Sequence, residues 1–305
     1  MEDLYREQAR LMLEMVPWVM RNEDFAIKGG SAINFFLRDV PRLSVDIDIT
    51  YLPVADRGSS LQAISEALLA VKKAALNSYP TLHVREKRIA GGHCVSLFIS
   101  NGEVTVTVET NTILRGGVFP AQQRELSAAA GARLGLDVYV SARTLSFGDL
   151  YAGKLMAALD RQHPRDIFDV KILLESEGLT DEIRTALPVY LASHNRPMHE
   201  LLAPRPANFS KVFVEEFAGM TAEPVTVGEL IYVRERLFAM IPGILNDSQR
   251  RFLLSMKAGD PAWDLLGIEG VEKLPALQWK LRNIRGMESG KRAAAYERLR
   301  AVLDM

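Results

Sequence analysis

Two short groups near the start of the sequence have the residue types that phosphate chemistry needs: Gly29, Gly30 and Ser31, then Asp46 and Asp48. A glycine pair at the mouth of a helix lets the backbone come close to a bulky anion, which the open amides of the first turn then face. In VDIDIT, strand alternation puts Asp46 and Asp48 on one face, about 7 Å apart along the chain, with Ile47 and Ile49 on the other. Carboxylates so placed suit a hard divalent cation, Mg2+ or Mn2+, whose shell substrate phosphates and water complete. Alone, GGS is an ordinary turn and DxD an ordinary solvated strand edge. Their order across one helix makes the pair specific to phosphate and metal. An EF-hand is excluded, because Arg57 stands where that loop requires its closing Glu.

The surrounding pattern supplies elements to position these groups. Leu4, Leu11, Met12, Met15 and Val19 recur at helical spacing, so an amphipathic helix opens the chain, with Pro17 a point of kinking. The strand FAIK leads into the glycine turn, a helix over 31–38 follows, and Pro41 closes the connection to the Asp strand. DRGSS caps a long helix carrying Leu61, Ile64, Leu68 and Val71. Three β-like runs come next, TLHVREKRI, HCVSLFIS and EVTVTVETN, and the Asn-Gly at 101–102 predicts an antiparallel hairpin of the last two. In the last run Val104, Val106 and Val108 share a face, leaving Thr105, Thr107 and Glu109 on the other. By pattern alone Glu109 reads as a solvent-facing glutamate.

Composition changes near Ser141 to Ser146, from β-rich to helical, which sets a boundary between a domain of 1–145 and one of 146–305. The second opens with SFGDLYAGKLMAALDRQHPRDIFDVKILLESEG. Leu150, Leu155, Ala158 and Leu159 form one buried helix face, Lys154 stands in a mostly apolar stretch, and Pro164 starts a helix with Arg165 and Asp166 in its first turn. Asp169 lies one turn on from Asp166. Each has a structural reading as well, Asp166 on the helix dipole and Lys154 as a snorkelling lysine. HPRD is shared with protein-kinase catalytic loops, but no Gly-rich kinase loop or DFG accompanies it. Trp263 and Trp279 read as packing residues. Arg196 and Lys257 read as cleft-facing or solvated. Lys280, Arg282, Arg285, Lys291, Arg292, Arg298 and Arg300 form a basic set for RNA phosphates or, with Glu288 and Glu297 between them, an ordinary solvated surface.

Composition limits the class. With 305 residues, 48% hydrophobic and 25% charged, the chain is an ordinary globular protein of one elaborated or two domains. A net charge of −1 gives no global field toward nucleic acid, so such a partner needs a local basic patch. A single cysteine, Cys94, excludes an internal disulfide framework and points to a reducing cytosol. The start MEDLYREQARLMLEMV lacks the apolar core of a signal peptide, and no stretch is long and apolar enough to span a bilayer, so a cytoplasmic location and no membrane partner are expected.

GGS, a helix and then S-V-D-I-D-I resemble the opening motif of DNA polymerase-β-like nucleotidyltransferases, and K-L-M-A-A-L-D-R-Q-H-P-R-D-I-F-D-V is similar to the second motif of the AbiEii/AbiGii nucleotidyltransferase toxins. Resemblance continues through VYLASHNRPMHELL, EFAGMT, RRFLLSMKAGDPAWDLL and LPALQWKLRNI. The gap between Ser31 and Asp46 is slightly longer than the family's. The resemblance implies an α+β fold, with a polymerase-β-like mixed sheet and flanking helices followed by a mainly helical domain closing the nucleotide cleft. It implies NMP transfer from an NTP to an acceptor hydroxyl by a two-metal mechanism, the acceptor being the 3′ end of tRNA. By the same resemblance Glu109 becomes a third metal-side acid with Asp46 and Asp48, and Lys154 the lysine that neutralises the triphosphate. Arg161, Arg165, Asp166 and Asp169 match the remaining polar positions of the second motif, one acid orienting Lys154 or the nucleotide. It further implies a toxin of a type IV toxin–antitoxin system in abortive-infection phage defence, with a separately encoded antitoxin. Transfer to a small-molecule or protein hydroxyl, and a non-catalytic nucleotide-binding regulator, are the alternatives.

Overall fold

The computed structural model describes residues 2–135 and 139–304, the side chain of Glu2 excepted. The chain forms two compact units, one of Met1–Ser146 with Ala218–Pro224 and the other of Phe147–Phe217 with Val225–Met305. Ala218–Pro224 joins the first unit by backbone pairing: Leu43 N–H donates to the Met220 carbonyl at 2.8 Å, Ala222 N–H to the Pro41 carbonyl at 2.9 Å, and Arg42 bridges Thr221. A single cut at 145/146 does not include this return.

The first unit is a seven-stranded mixed sheet with flanking helices. In chain order it holds α1 (Glu2–Val19), β1 (Phe25–Lys28), α2 (Gly29–Ser31) running into a π-helical stretch (Ala32–Leu37), β2 (Asp46–Tyr51), α3 (Arg57–Ser78), β3 (His83–Arg88), β4 (Cys94–Ser100), β5 (Thr105–Thr110), β6 (Gln122–Glu125), α4 (Ala128–Leu134) and β7 (Ser141–Thr144). The strand order is β3-β4-β5-β2-β1-β7-β6. β2 runs parallel to β5, and β1 parallel to β7, while the remaining neighbours are antiparallel. The Asn-Gly hairpin forms as expected between β4 and β5.

Alternation decides which face is core. Ile47, Ile49, Leu97, Ile99, Val106 and Val108 are all fully buried on one side, each worth roughly 1.5–3 kcal/mol of transfer free energy. α1 and α3 pack against these strands. α1 contributes Met12, Met15 and Val19, but Leu4, which shares their spacing, is 57% exposed. Pro17 lies in the last turn and does not stop the helix before Val19. Asp56 caps α3 by accepting from Ser59 N–H, and Leu61, Ile64, Leu68 and Val71 are buried as their spacing requires.

The second unit is helical: α5 (Phe147–Asp160), α6 (Pro164–Glu175), α7 (Asp181–Ser193), α8 (Met198–Leu202), α9 (Ser210–Glu216), α10 (Val227–Ile244), α11 (Asp247–Ala258), α12 (Pro275–Arg285) and α13 (Ser289–Val302), with two 3-10 turns before α12. α5 packs on α6 and α7, α10 on α6, and α11 on α13. Capping boxes start α10 (Thr226 with Glu229) and α11 (Asn246 with Gln249). Trp263 packs on Phe252 with ring centroids 5.6 Å apart, whereas Trp279, read as a packing residue, is 37% exposed. The basic set of the last helices is not one patch. Lys280 is buried and donates to the carbonyls of Asn195 and Arg196 at 3.3 Å and to that of His194, while Lys291 pairs with Glu288 and Arg300 with Glu297. Lys257 is buried, and Arg196 pairs with Asp160 and Glu200.

Candidate active site

Each unit carries one of the sequence-derived polar sets. In the first, the chain leaves β1 extended at Lys28, turns through Gly29 at φ +69° and enters α2. A side chain at Gly29 would be strained by this left-handed backbone, and its Cβ would lie 2.6 Å from Asp48 Oδ2. At Gly30, a Cβ would lie 2.6 Å from Arg42 Nη2 and 3.0 Å from Ser44 Oγ. The glycine pair therefore admits a carboxylate on one side and a guanidinium on the other. Ser31 is buried, and its hydroxyl is engaged by the Asp46 carbonyl and by Ser44 Oγ at 3.0 Å, tying the helix start to β2. Beyond Ser31 the helix expected over 31–38 is π-helical over Ala32–Leu37, a geometry common at functional sites, with Asn34 Nδ2 donating to the Gly30 carbonyl at 2.9 Å.

Register supplies what chain order could not. Asp48 stands opposite Glu109 in the parallel β2–β5 ladder, and Asp46 opposite Thr107. Paired residues of neighbouring strands share a face, so Asp46, Asp48 and Glu109 are on one side of the sheet. Thr107 N–H donates to Asp46 Oδ1 at 3.2 Å. The row continues across five strands as Lys28, Asp48, Glu109, Ser96 and Lys87. Lys87 Nζ reaches Glu109 Oε1 at 3.1 Å, past the fully buried Ser96, with the two side chains 53% and 48% exposed. Among the described residues no three His, Cys, Asp or Glu side chains already converge on a metal-sized point. The donor set nonetheless fits a hard divalent cation: carboxylate oxygens share one face, and Gly29 leaves the space beside Asp48 Oδ2 clear of a Cβ.

In the second unit, Lys154 is buried between two carboxylates, 2.8 Å from Asp166 Oδ1 and 2.9 Å from Asp169 Oδ2. Arg161 grips Asp166 bidentately, Nε to Oδ2 at 2.5 Å and Nη2 to Oδ1 at 3.0 Å. Pro164 opens α6, and the capping His163 imidazole accepts from Arg165 N–H, which holds Asp166 in the first turn. Burial works against the Asp166 carboxylate, but the neighbouring Lys154 charge and the hydrogen bond and charge of Arg161 outweigh it, holding the carboxyl below the usual range. Both acids thus orient Lys154, where one was expected. Arg161 is the accessible cation, its side chain 60% exposed. Arg165 lies apart from this lock, toward Glu216, 3.9 Å away.

Sequence reasoning did not single out Arg42, Lys28 or Lys87, which lie beside Gly30, Asp48 and Glu109 respectively. Arg42, buried beside Gly30, donates to the Leu43 carbonyl at 2.9 Å. Its signal was an arginine in the short loop between glycine turn and acid strand. That loop holds Val40 at φ +51°, a strained conformation for a β-branched residue.

No curated protein matches the chain. Among solved structures, MenT4, a nucleotidyltransferase toxin from Mycobacterium tuberculosis H37Rv, aligns over 98% of this chain and 94% of its own, with a TM-score of 0.60 and 14% identity, a likeness of fold. Residues 10–283 match the family described as nucleotidyl transferase AbiEii toxin, type IV TA system, a span that includes both polar sets. The chain belongs to the AbiEii family of nucleotidyltransferase toxins of type IV toxin–antitoxin systems.

Proposed function

We propose that the protein transfers a nucleoside monophosphate from an NTP to the 3′ hydroxyl at the acceptor end of tRNA. The observation that carries this is the registered pair Asp48 and Glu109, on one face with Asp46 and beside the Cβ-free Gly29. The acceptor oxygen attacks the α-phosphorus, a new P–O bond forms, and the bond to the bridging oxygen breaks to release pyrophosphate. The acceptor proton passes to the Glu109 carboxylate and on to water, with Lys87 holding that carboxylate in place. Mg2+ or Mn2+ held by Asp46, Asp48 and Glu109 would supply charge neutralisation for the attacking and leaving oxygens. The backbone of Gly29, Gly30 and Ser31 serves the phosphates on the β1–β2 side, with the buried Arg42 packed behind Gly30. Within the helical unit, Asp166 and Asp169 hold Lys154 in place and Asp166 also holds Arg161, with Arg165 at the margin of this set. Unopposed, the activity arrests growth in the cytoplasm as part of phage defence, and a separately encoded antitoxin restrains it.

Incubation with each of four labelled NTPs and Mg2+, in the presence of total RNA or of cell protein, tests the reading. Label on tRNA 3′ ends supports it. Label on protein or a small molecule supports the rival acceptor, and absence of pyrophosphate release with every acceptor leaves a nucleotide-binding regulator. Asp48→Asn is expected to lose transfer by orders of magnitude, and full transfer by that variant would sink the assignment.

A further inference from the structure

The face of the sheet that carries the acids extends outward beyond them. On β3, His83, Arg85 and Lys87 are exposed, and across the ladder they meet Ser100, Phe98 and Ser96 of β4, then Thr105, Thr107 and Glu109 of β5. One row therefore reads Arg85, Phe98, Thr107, Asp46, and the next reads Lys87, Ser96, Glu109, Asp48. Each runs from a cation on the sheet edge to a carboxylate of the candidate active site. The opposite face of the same strands holds Leu97, Ile99, Val106 and Val108, all fully buried, so the two faces differ sharply in kind.

Charged residues on an edge strand have a simpler explanation, since lysine and arginine there discourage edge-to-edge aggregation. That does not account for Phe98. It lies one strand in from the edge, only partly buried on the polar face, with the Arg85 guanidinium 4.8 Å from its ring centroid. An aromatic ring and a stacked guanidinium on an open sheet face are what unpaired bases stack on, and the flanking cations with the accessible hydroxyls of Thr105 and Thr107 suit a phosphodiester backbone.

We infer that the open face of β3, β4 and β5 is the track along which a single-stranded polynucleotide acceptor lies, its penultimate bases on Phe98 and Arg85 and its 3′ hydroxyl delivered to Glu109 and Asp48. This rests on the reading of the acceptor as RNA and adds its path. Charge complementarity selects the occupant: the β3 edge is cationic on this face, while the acids are confined to the inner end where metal and nucleotide belong. Arg85 and Phe98 are acceptor-binding residues, distinct from the groups that act on the nucleotide.

The test uses the full-length protein and a fluorescent single-stranded RNA oligonucleotide with a free 3′ hydroxyl, titrated across a salt series, alongside nucleotide binding measured without RNA. Phe98→Ala is expected to weaken RNA binding roughly tenfold or more, and Phe98→Tyr, which keeps the ring, to restore it. Arg85→Glu is expected to raise the RNA KM and flatten the salt dependence by about 0.7 per lost phosphate contact. NTP affinity is unchanged in all three variants. RNA affinity and salt slope equal to wild type in Phe98→Ala and Arg85→Glu, with RNA still labelled by the wild type, overturn the track alone. A parallel loss of NTP affinity makes the effect structural and also overturns it. Label appearing only on protein removes the RNA reading and the track together.

Discussion

Replacing Gly29 by alanine tests the close approach of the glycine turn to Asp48 in the proposed site. Two penalties follow from the structure. At φ +69° an L-residue other than glycine is strained by roughly 1–2 kcal/mol, which for a unit of this size lowers the melting temperature by about 2–8 °C. Second, the new Cβ would start 2.6 Å from Asp48 Oδ2, where ordinary contact needs ~3.5 Å, so the carboxylate must retreat by about 1 Å. A displacement of that size at a reacting group costs on the order of a hundredfold in rate. Gly92 provides the control, with φ +80° and nothing within 4 Å of its virtual Cβ. Gly92→Ala should show a similar thermal loss and keep wild-type transfer. The assay is single-turnover nucleotide transfer well below the melting transition of each variant, paired with thermal unfolding. Were Gly29→Ala to melt like Gly92→Ala and transfer at the same rate, the proximity of Gly29 to Asp48 would have no catalytic meaning.

Further expectations concern the helical unit. Asp166→Asn removes one of the two carboxylates around the buried Lys154, with Asp169 remaining, and should cost about 1–3 kcal/mol at neutral pH, read by chemical denaturation. The folded-state pKa of Asp166 is depressed, so its contribution is complete above the unfolded value of about 3.9 and fades as pH falls through the folded value; the gap between wild type and variant should therefore close only below about pH 4. A gap that closes near pH 6 would assign the effect elsewhere. Asn246→Ala opens the capping box of α11 and should lower stability by about 1 kcal/mol while leaving transfer unchanged, a separation that activity and melting measured on one preparation would check.

What the sequence disclosed and what it withheld divide along a physical line. Elements whose signal is local were legible: the Asp56-capped α3, the Asn-Gly hairpin, the Pro164 helix start and the alternation of β5. β6 and β7 were not, since QQRE and SART are four-residue stretches without apolar alternation, defined by pairing with each other and, for β7, with β1. The same holds for the site. Its candidate acids were nominated from spacing and family resemblance, but the adjacency of Asp48 and Glu109 arises from a parallel pairing across a long crossover that no local pattern encodes. The Ala218–Pro224 return, contributed by the distant half of the chain to the loop around Arg42, is non-local for the same reason. Ser31 shows the opposite failure: its place at the helix mouth was legible, but the engagement of its hydroxyl by Ser44 and the β2 backbone was not.

The acid row bears on whether these carboxylates serve stability or function. Asp48 and Glu109 are like charges directly opposite one another near the middle of the sheet, with Lys28 beyond the first and Lys87 beyond the second. Like charges in facing positions destabilise a ladder by roughly 0.2–1 kcal/mol, and folding alone would favour a neutral residue at either place. Their retention suits a site kept ready for bound positive charge at some cost to the apo fold. Asp48→Asn should accordingly melt at or above the wild-type temperature in metal-free buffer, by up to about 4 °C, while losing transfer. Added Mg2+ should raise the wild-type melting temperature and leave the variant nearly unmoved, because a ligand stabilises only the form that binds it. A variant that melts well below wild type without metal would show that Asp48 is a structural member of β2, and the case for these acids as a catalytic set would then fail.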